Sequence, residues 1–308
     1  MSAVPQAFTY IIYKNGNNTV AQKSDNSNPI TNTNPEVVIN QVLQDPGPLD
    51  NPNGIRAGPG YIYITDGVYD LSPSFQGFNL RSFTTLTFAP QAVLRVDETF
   101  AGSVFILESS GGAPVSDCTI DGGDIRQRGS PSQRQWTGVL LHGVGNGGVL
   151  FNKIMNSTIR SANVGIRVVA TSDPNAATDR LGIDGGWVNG NLFQGLKMWQ
   201  NNIFIDFQMD GAYQPDTQIT GIHRNRFMNI ECQSGSNTIY GIRNIRHFGN
   251  SFINVNIWDI GVGGRGATIS NIHQDARGTV IISGIMTGQN FSNQGQGTKI
   301  IDENNGLI

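Results

Sequence analysis

The amino-acid sequence predicts an all-β fold: a right-handed, single-stranded parallel β-helix (a solenoid) with an N-terminal capping helix. The first supporting observation is composition, because charged residues make up only 14% of the 308 residues while Gly contributes 39 and Asn 32. Both residue types favour turns over helices. The second is an internal repeat, and the third is an alternation of apolar and polar residues within short runs.

The repeat is an eight-residue segment that begins with Asn. It has an apolar residue at the third place, Asn or Gly at the fifth place and an apolar residue at the last place. Its four copies read NKIMNSTI from Asn152, NLFQGLKM from Asn191, NRFMNIEC from Asn225 and NSFINVNI from Asn250. The spacing between successive copies shortens along the chain, so a constant unit alternates with connections of variable length. A solenoid with loops between its turns has this pattern.

A second strand-like run follows each copy at a similar distance, and one of these runs reads IFIDF from residue 203. Its alternation places Ile203, Ile205 and Phe207 on one side and Phe204 and Asp206 on the other, which suits a strand with one face packed inward. No segment of the repeat region sustains the spacing of a helical repeat. We therefore expect three strands per turn, stacked in parallel.

Two columns of side chains are expected to run along the coil. Equivalent residues of successive turns lie about 4.8 Å apart in a parallel stack. The leading Asn residues of the repeats should therefore hydrogen-bond along a ladder, as a structural feature. Phe193, Phe227 and Phe252 should share one internal column.

A short helix is predicted before the coil. Asn34 can cap it, Pro35 fits its first position, Glu36 suits its positive end, and VVINQVL follows. The first turn of a solenoid has no preceding neighbour, so such a helix would cover its core and its open strand edge. Residues 1–308 are expected to form one domain, composed of an extension and capping helix over 1–57, coils over 58–290 and a tail over 291–308.

Residues 58–72 read GPGYIYITDGVYDLS, which predicts two short strands joined by a turn. Together with the preceding helix, this phrase resembles the opening of the β-helix proteins of the pectin lyase superfamily, which include polysaccharide lyases, glycosidases and viral tailspikes. With the repeats, the resemblance covers residues 30–290, and it implies a scaffold that handles carbohydrate. The sequence departs from the NTD, DD and GHG set of the polygalacturonases, so the resemblance leaves the reaction open.

Charge and cysteine content narrow the classes of partner. The net charge of -3 disfavours nucleic acid, although 15 of the 20 basic residues are Arg and local Arg clusters suit carboxylates. Cys118 and Cys232 match neither a zinc spacing nor a disulfide framework. No signal peptide is visible and no run of 18 apolar residues occurs, so no membrane span is expected. The expected location is extracellular or on a virus particle.

Charged residues recur at one place in the second strand of successive turns. Arg167, Asp206 and Arg243 should project outward there, with His142 one turn earlier. Two interpretations remain open. The residues can form a ladder of ion pairs on a solvated surface, or they can line a groove where Arg binds uronate carboxylates and a His or Asp moves protons.

Two long insertions, 170–190 and 208–224, follow this strand and would form the walls of such a groove. They contribute further candidates. Trp187 and Tyr213 suit stacking on sugar rings, and Arg224 suits binding of a carboxylate. The candidate site therefore consists of Asp206, Arg243, His142, Asp184, Asp210 and His223 as catalytic residues and Arg167, Arg224, Trp187 and Tyr213 as substrate-binding residues.

The reaction depends on which residues meet in space. A glycosidase needs two carboxylates, for which Asp184, Asp206 and Asp210 are the candidates. A lyase needs a cation that neutralises the substrate carboxylate and a base beside it, for which Arg224 or Arg243 with His223 or His142 would serve.

No cofactor is expected at this site. A calcium ion is a secondary hypothesis for DCTIDGGDIR, where Asp117, Asp121 and Asp124 lie close in sequence, although Asp-Gly pairs are more often turn residues.

The sequence thus predicts a polysaccharide-cleaving protein, with a lyase on an acidic, uronate-containing glycan preferred to a glycoside hydrolase because of the Arg-rich exterior. The alternative is a non-catalytic viral spike or cell-surface glycan-binding protein. The partner in both cases is polysaccharide. A monomer is expected for an enzyme and a homotrimer for a spike.

Overall fold

The fold is all-β, and the described part of the chain contains one α-helix, α1 (Pro35–Leu43). The computed structural model describes residues 8–47, 57–109, 113–129, 134–145, 147–171, 186–210, 221–246, 249–258, 268–272, 278–283, 291–293, 297, 299–302 and 306–307. The strands are β1 (Tyr10–Asn15), β2 (Asn18–Lys23), β3 (Ile30–Asn32), β4 (Tyr61–Ile64), β5 (Gly67–Leu71), β6 (Phe78–Asn79), β7 (Thr85–Phe88), β8 (Ala92–Val96), β9 (Ser103–Glu108), β10 (Val115–Ser116), β11 (Thr119–Asp121), β12 (Asp124–Gln127), β13 (Thr137–Val144), β14 (Gly148–Leu150), β15 (Lys153–Met155), β16 (Thr158–Arg160), β17 (Val164–Thr171), β18 (Trp187–Asn189), β19 (Leu192–Gln194), β20 (Lys197–Trp199), β21 (Ile203–Asp210), β22 (Gly221–His223), β23 (Arg226–Gln233), β24 (Tyr240–Ile245), β25 (Ser251–Trp258), β26 (Thr268–Ile272), β27 (Val280–Ser283), β28 (Phe291–Asn293), β29 (Lys299–Asp302) and β30 (Gly306–Leu307).

Strands from successive turns pair in parallel and form four stacks. Stack 1 consists of β4, β7, β11, β15, β19, the first halves of β23 and β25, β27 and β29. Stack 2 consists of β5, β8, β12, β16, β20 and the second halves of β23 and β25. Stack 3 consists of β6, β9, β13, β17, β21, β24, β26 and β28. Stack 4 consists of β10, β14, β18 and β22.

The coil of parallel strands expected from the repeats is confirmed, and its right hand stays a prediction. The expected number of three strands per turn is too low for the central turns. One of these turns runs through β14, β15, β16 and β17, and therefore places one strand in each stack. The short strands of stack 4 were not predicted, because three residues are too few to show an alternation of apolar and polar side chains.

The expected Asn ladder is confirmed. Asn152, Asn191, Asn225 and Asn250 are fully buried, and each of the first three donates its side-chain N–H to the Oδ1 of the next at 2.9, 2.9 and 3.1 Å. Each Oδ1 after the first also accepts the backbone N–H of the preceding Asn. A buried amide with all its partners supplied costs little and fixes the corner between stack 4 and stack 1.

The fifth place of the repeat forms the corner between stack 1 and stack 2. Its residues adopt the left-handed backbone conformation, with φ between 52° and 66° at Asn156, Gly195, Asn229 and Asn254. Asn tolerates this region better than other residues with a Cβ, and Gly tolerates it freely. The Asn-or-Gly rule in the sequence is therefore a backbone requirement.

The interior is a continuous apolar core. Phe193, Phe227 and Phe252 are fully buried, and their rings stack with centroids 4.5 and 4.8 Å apart, as expected. The predicted alternation in β21 holds from Ile205 onwards but is wrong before it. Phe204 lies in the core because β21 starts at the corner from stack 2, where both sides of the chain are enclosed.

The helix α1 begins and ends as predicted, and its apolar face joins the core of the coil through Val38, Ile39, Val42 and Leu43. The expected cap is wrong in one detail. Asn34 occupies the N-cap position, but its side chain makes no capping hydrogen bond. The antiparallel strands β1, β2 and β3 also lie before the helix, and β1 pairs in parallel with β4.

Parallel pairing extends past both ends expected for the coils, because β1 joins stack 1 and β28 and β29 continue stacks 3 and 1.

Both cysteines are free and buried, and burial raises the pKa of Cys118 to about 12. Burial likewise raises the pKa of Cys232. In the described residues, no helix has the length and apolar character needed to cross a bilayer.

Candidate functional site

The outward face of stack 3 brings together four of the predicted residues. The strand register pairs Arg167 with Asp206 and Asp206 with Arg243, so these three residues stand in one column on successive turns. His142 lies on the preceding turn, but Leu140 is the residue opposite Arg167. His142 is therefore displaced by two residues along the strand, on the same face.

Asp206 is the centre of this column and is fully buried. Arg243 clamps its carboxylate with two hydrogen bonds, from Nε to Oδ1 at 2.7 Å and from an Nη to Oδ2 at 2.6 Å. Gln208 donates to Oδ2 at 2.8 Å. Arg167 approaches Oδ2 only to 3.7 Å, which is an ion pair without a hydrogen bond.

This cluster carries one surplus positive charge, since two guanidinium groups surround one carboxylate. Hydrogen bonding to Asp206 raises the pKa of Arg243, whereas burial lowers the pKa of Arg167. The Nε of Arg167 is buried and makes no hydrogen bond within the described part of the chain. Its side chain still keeps 29% of its surface exposed. Arg167 is thus the arginine of the column that makes no hydrogen bond to Asp206 while part of its side chain is open to solvent.

His142 belongs to a separate hydrogen-bonded chain on the same face. Its Nδ1 lies 2.7 Å from Oε2 of Glu108, and its Nε2 lies 2.8 Å from Oγ1 of Thr171. Glu108 is the register partner of His142 on the turn before. The side chain of His142 is 23% exposed and that of Glu108 is 44% exposed, so the imidazole can be reached from outside.

His142 and Arg167 are close enough to act on one ligand. They lie on adjacent strands, two residues apart in register. Strand spacing and rise place their Cα atoms about 8 Å apart on the same face. Both side chains are long enough to meet groups on a single sugar.

The insertions expected to wall the groove lie mostly outside the described residues. This holds for Asp184 and Tyr213, and also for the side chain of Asp210, whose backbone closes β21. The structure therefore neither brings these three candidates to the face nor separates them from it. They stay predictions.

The remaining candidates lie on stack 4 or at its end. Trp187 was expected in a loop, but the insertion ends before it and Trp187 begins β18. Its indole N–H is buried and makes no hydrogen bond to the described residues. His223 closes β22, and Arg224 occupies the following left-handed corner with φ 53°. β18 nevertheless lies beside the end of stack 3, because the backbone N–H of Gly186, the residue before Trp187, donates to the carbonyl oxygen of Thr171 at 3.0 Å.

The three aspartates of the calcium hypothesis do not converge. Asp124 pairs instead with Arg160 at 3.1 Å, and Asp121 accepts a hydrogen bond from Asn156 at 2.8 Å. Asp117 adopts a left-handed corner conformation. Among the described residues, no group of three or more His, Cys, Asp or Glu side chains could hold a metal ion.

Stack 2 carries a second charged column that the sequence did not reveal. Arg95, Arg126 and Arg160 face outward in register on three successive turns. Asp70 binds Arg95 through both carboxylate oxygens, and Arg160 stacks on the ring of Trp199 at 4.2 Å. These arginines already contact partner side chains on the protein surface. We therefore interpret this column as a structural feature and not as a binding site.

Sequence reasoning missed Glu108 and Thr171, which hold His142, and Gln208 and Tyr240, which contact Asp206 and Arg243. A usable signal was present. Thr171 lies four residues after Arg167, and Glu108 precedes His142 by the length of one turn. Counting outward positions turn by turn would have placed them on the face.

No protein-family model matches the chain, and no curated protein matches it. Among solved structures, the chain is similar to ORF18 of Geobacillus virus E2, with 13% identity and a TM-score of 0.36 over 87% of this chain and 56% of that one. It is also similar to PfbA, a surface adhesin of Streptococcus pneumoniae, with 14% identity and a TM-score of 0.33 over 87% and 70% of the two chains. A third similarity, to the A-module of the mannuronan C-5 epimerase AlgE4 of Azotobacter vinelandii, has 12% identity and a TM-score of 0.20 over 88% and 94%. The chain thus spans little more than half the length of the viral protein, and at these identities none of the three assigns it to a family.

Proposed function

We propose that this protein binds an acidic polysaccharide on the outward face of stack 3 and cleaves it by β-elimination, outside the cell or on a virus particle. The observation that carries the proposal is the surplus cation at Arg167, about 8 Å from an imidazole held by a carboxylate.

The binding step depends on how the carboxylate of Asp206 is shared between its two neighbouring arginines. Arg243 and Gln208 occupy the oxygens of Asp206, so Arg167 keeps hydrogen-bonding capacity that Asp206 does not use. A guanidinium binds a carboxylate in a planar, two-bond geometry. Because the cluster has a surplus positive charge and is partly desolvated, a uronate carboxylate fits it better than a neutral sugar does.

The cleavage step needs a base beside the bound carboxylate. Arg167 would neutralise the uronate carboxylate and so make the proton on the adjacent ring carbon more acidic. Glu108 binds Nδ1 of His142, so Nε2 would take that proton after the Thr171 hydroxyl, which lies 2.8 Å from Nε2, turns away from it. The electron pair of the C–H bond then forms a carbon–carbon double bond, the glycosidic C–O bond breaks, and the oxygen of the leaving sugar takes a proton from water.

Hydrolysis is the less favoured reaction on this face. A glycosidase needs two carboxyl groups that reach the scissile bond. Asp206 is fully buried and clamped by Arg243, so its carboxylate serves to position the arginines. Hydrolysis would therefore depend on Asp184 and Asp210.

A second candidate function is a non-catalytic viral spike or surface protein. The observation in its favour is that Arg243, Asp206 and Gln208 satisfy one another without a ligand. The two functions differ in assembly as well as in chemistry. A lyase is proposed to be a monomer and a spike a homotrimer, which light scattering on the purified protein distinguishes.

The test is turnover on a panel of pectate, alginate, hyaluronan and neutral glycans. Ultraviolet absorbance of unsaturated uronate products reports elimination, and new reducing ends without that absorbance report hydrolysis. We expect absorbance with an acidic glycan, its loss in His142→Gln, and a raised KM in Arg167→Ala. Arg226→Ala, an exposed arginine on stack 1, is the matched control and should keep wild-type kinetics. Binding without either product would support the spike, and hydrolysis alone would overturn elimination.

A further inference from the structure

We propose that Glu108, His142 and Thr171 form a carboxylate–imidazole–hydroxyl triad that hydrolyses esters, so that the outward face of stack 3 also removes acyl groups from its glycan. The choice of a glycan ester as substrate rests on the proposed function. The ester chemistry itself rests on the triad alone.

The triad is defined by two short hydrogen bonds across three successive turns. Glu108 closes β9, His142 lies in β13, and Thr171 closes β17. The carboxylate-to-imidazole distance is 2.7 Å and the imidazole-to-hydroxyl distance is 2.8 Å. A nucleophile in hydrogen-bond contact with a base that a third group orients is the arrangement that nucleophilic catalysis requires.

The partners also decide which ring nitrogen carries the proton. A carboxylate only accepts, so Nδ1 of His142 must donate to Glu108. Nε2 is then the unprotonated nitrogen of the neutral ring and accepts the hydroxyl proton of Thr171. The tautomer assigned by this network is the one in which Nε2 acts as a base towards a hydroxyl group.

The reaction balances with water as the only co-substrate. Oγ1 of Thr171 forms a bond to the ester carbonyl carbon while its proton passes to Nε2 of His142. The imidazolium, held by Glu108, returns that proton to the alcohol oxygen of the sugar as the C–O bond breaks. Water then attacks the acyl-Thr171 ester, again losing its proton to Nε2, and the carboxylic acid leaves as the threonine hydroxyl is restored.

Placement connects this triad to the glycan site. Thr171 and Arg167 are four residues apart in β17, which places them about 13 Å apart on one strand. A sugar chain anchored by its carboxylate at Arg167 can therefore extend over Thr171. Acyl esters on neighbouring sugars would meet the hydroxyl while the carboxylate stays bound.

Thr171 separates this activity from elimination, although both use His142 as the base. Elimination takes a proton from the sugar and needs no hydroxyl on the protein. Ester hydrolysis needs the hydroxyl in every turnover. Thr171→Val keeps the shape of the side chain and removes the hydroxyl, so it should abolish ester hydrolysis. Elimination should persist, because Glu108 still holds Nδ1 of His142 and leaves Nε2 as the base.

The experiment measures hydrolysis of p-nitrophenyl acetate and acetate release from O-acetylated polygalacturonate by the full chain. We expect Thr171→Val and His142→Gln to lower kcat by about 100-fold or more, and Thr171→Ser to retain hydrolysis. Glu108→Gln should lower kcat by a similar factor with little change in KM. It should also shift the pH profile, which a purely structural role would leave unchanged. Labelling of Thr171 by a fluorophosphonate, located by mass spectrometry, would show the nucleophile directly.

Two results would overturn the triad: ester hydrolysis by the wild type no faster than by His142→Gln, or full hydrolysis by Thr171→Val. The failures of the two proposals are distinguishable. Ester hydrolysis without elimination or binding of acidic glycans would refute the proposed function and support the triad. Elimination by the wild type without ester hydrolysis would refute the triad and leave the proposed function standing.

Discussion

Replacing Arg243 with Ala should lower the free energy of unfolding by about 3 kcal/mol, because it leaves a buried carboxylate without its main partner. Asp206 is fully buried and receives two hydrogen bonds from Arg243, at 2.6 and 2.7 Å. Removing one partner of such a pair costs about 3 to 5 kcal/mol. Gln208 at 2.8 Å and Arg167 at 3.7 Å remain, so we expect the lower end of that range.

The matched control is Arg95→Ala on stack 2. Arg95 also holds Asp70 through two hydrogen bonds, but the two side chains are 37% and 46% exposed. An exposed pair contributes about 1 kcal/mol or less. The two variants thus remove the same pair of Arg–Asp hydrogen bonds, one from a buried site and one from an exposed site.

Urea unfolding of both variants, followed by circular dichroism, measures the difference. Salt should weaken the contribution of Arg95 and leave that of Arg243 nearly unchanged, because buried pairs are poorly screened. A double-mutant cycle of Arg243→Ala with Asp206→Ala should give a coupling energy of about 2 kcal/mol. The reasoning is refuted if Arg243→Ala costs no more than Arg95→Ala.

Three further predictions concern the scaffold. Asn225→Ala should destabilise by about 2 kcal/mol or more by breaking the buried ladder, whereas Asn254→Gly, which removes an exposed amide and keeps the positive φ, should cost far less in the same urea assay. Phe227→Ala should cost about 3 to 5 kcal/mol, because its ring lies fully buried between two stacked rings, and an unchanged urea midpoint would contradict the column. Burial raises the pKa of Asp45, but hydrogen bonds from Tyr10 and Lys23 outweigh it and lower the pKa below its ordinary value. The stability contributed by Asp45 should be complete above about pH 4 and be lost as the pH falls further, so Asp45→Asn should flatten the acid limb of a stability-against-pH curve.

The coil could be predicted because the backbone geometry of each turn requires particular residue types at fixed places of the repeat. An Asn that must fill a buried ladder and an Asn or Gly that must adopt a positive φ leave a fixed spacing in the sequence, as at Asn191 and Gly195. Apolar residues between them follow the alternation of a strand. These constraints are local, and they repeat in every central turn.

The candidate site was predictable only in part, because its partners come from different turns. Arg167, Asp206 and Arg243 share a column because the turn lengths align them, and the sequence repeat showed that alignment. His142 lies two residues away from the column because of the register between β13 and β17. An alternating pattern looks the same after a shift of two residues, so the sequence could not determine that register. Burial of Asp206 depends on how the long side chains beside it fold over, and no local pattern encodes that.

The most direct test of the central claim is the affinity of the protein for polygalacturonate, measured by titration calorimetry on the wild type, Arg167→Ala and Arg226→Ala. Both variants lose one arginine, but only Arg167 lies in the column on stack 3. We predict that Arg167→Ala binds about tenfold more weakly, the loss expected for one charge-assisted hydrogen bond, and that Arg226→Ala binds like the wild type. Equal affinity in Arg167→Ala and the wild type, or an equal loss in both variants, would contradict binding at this face.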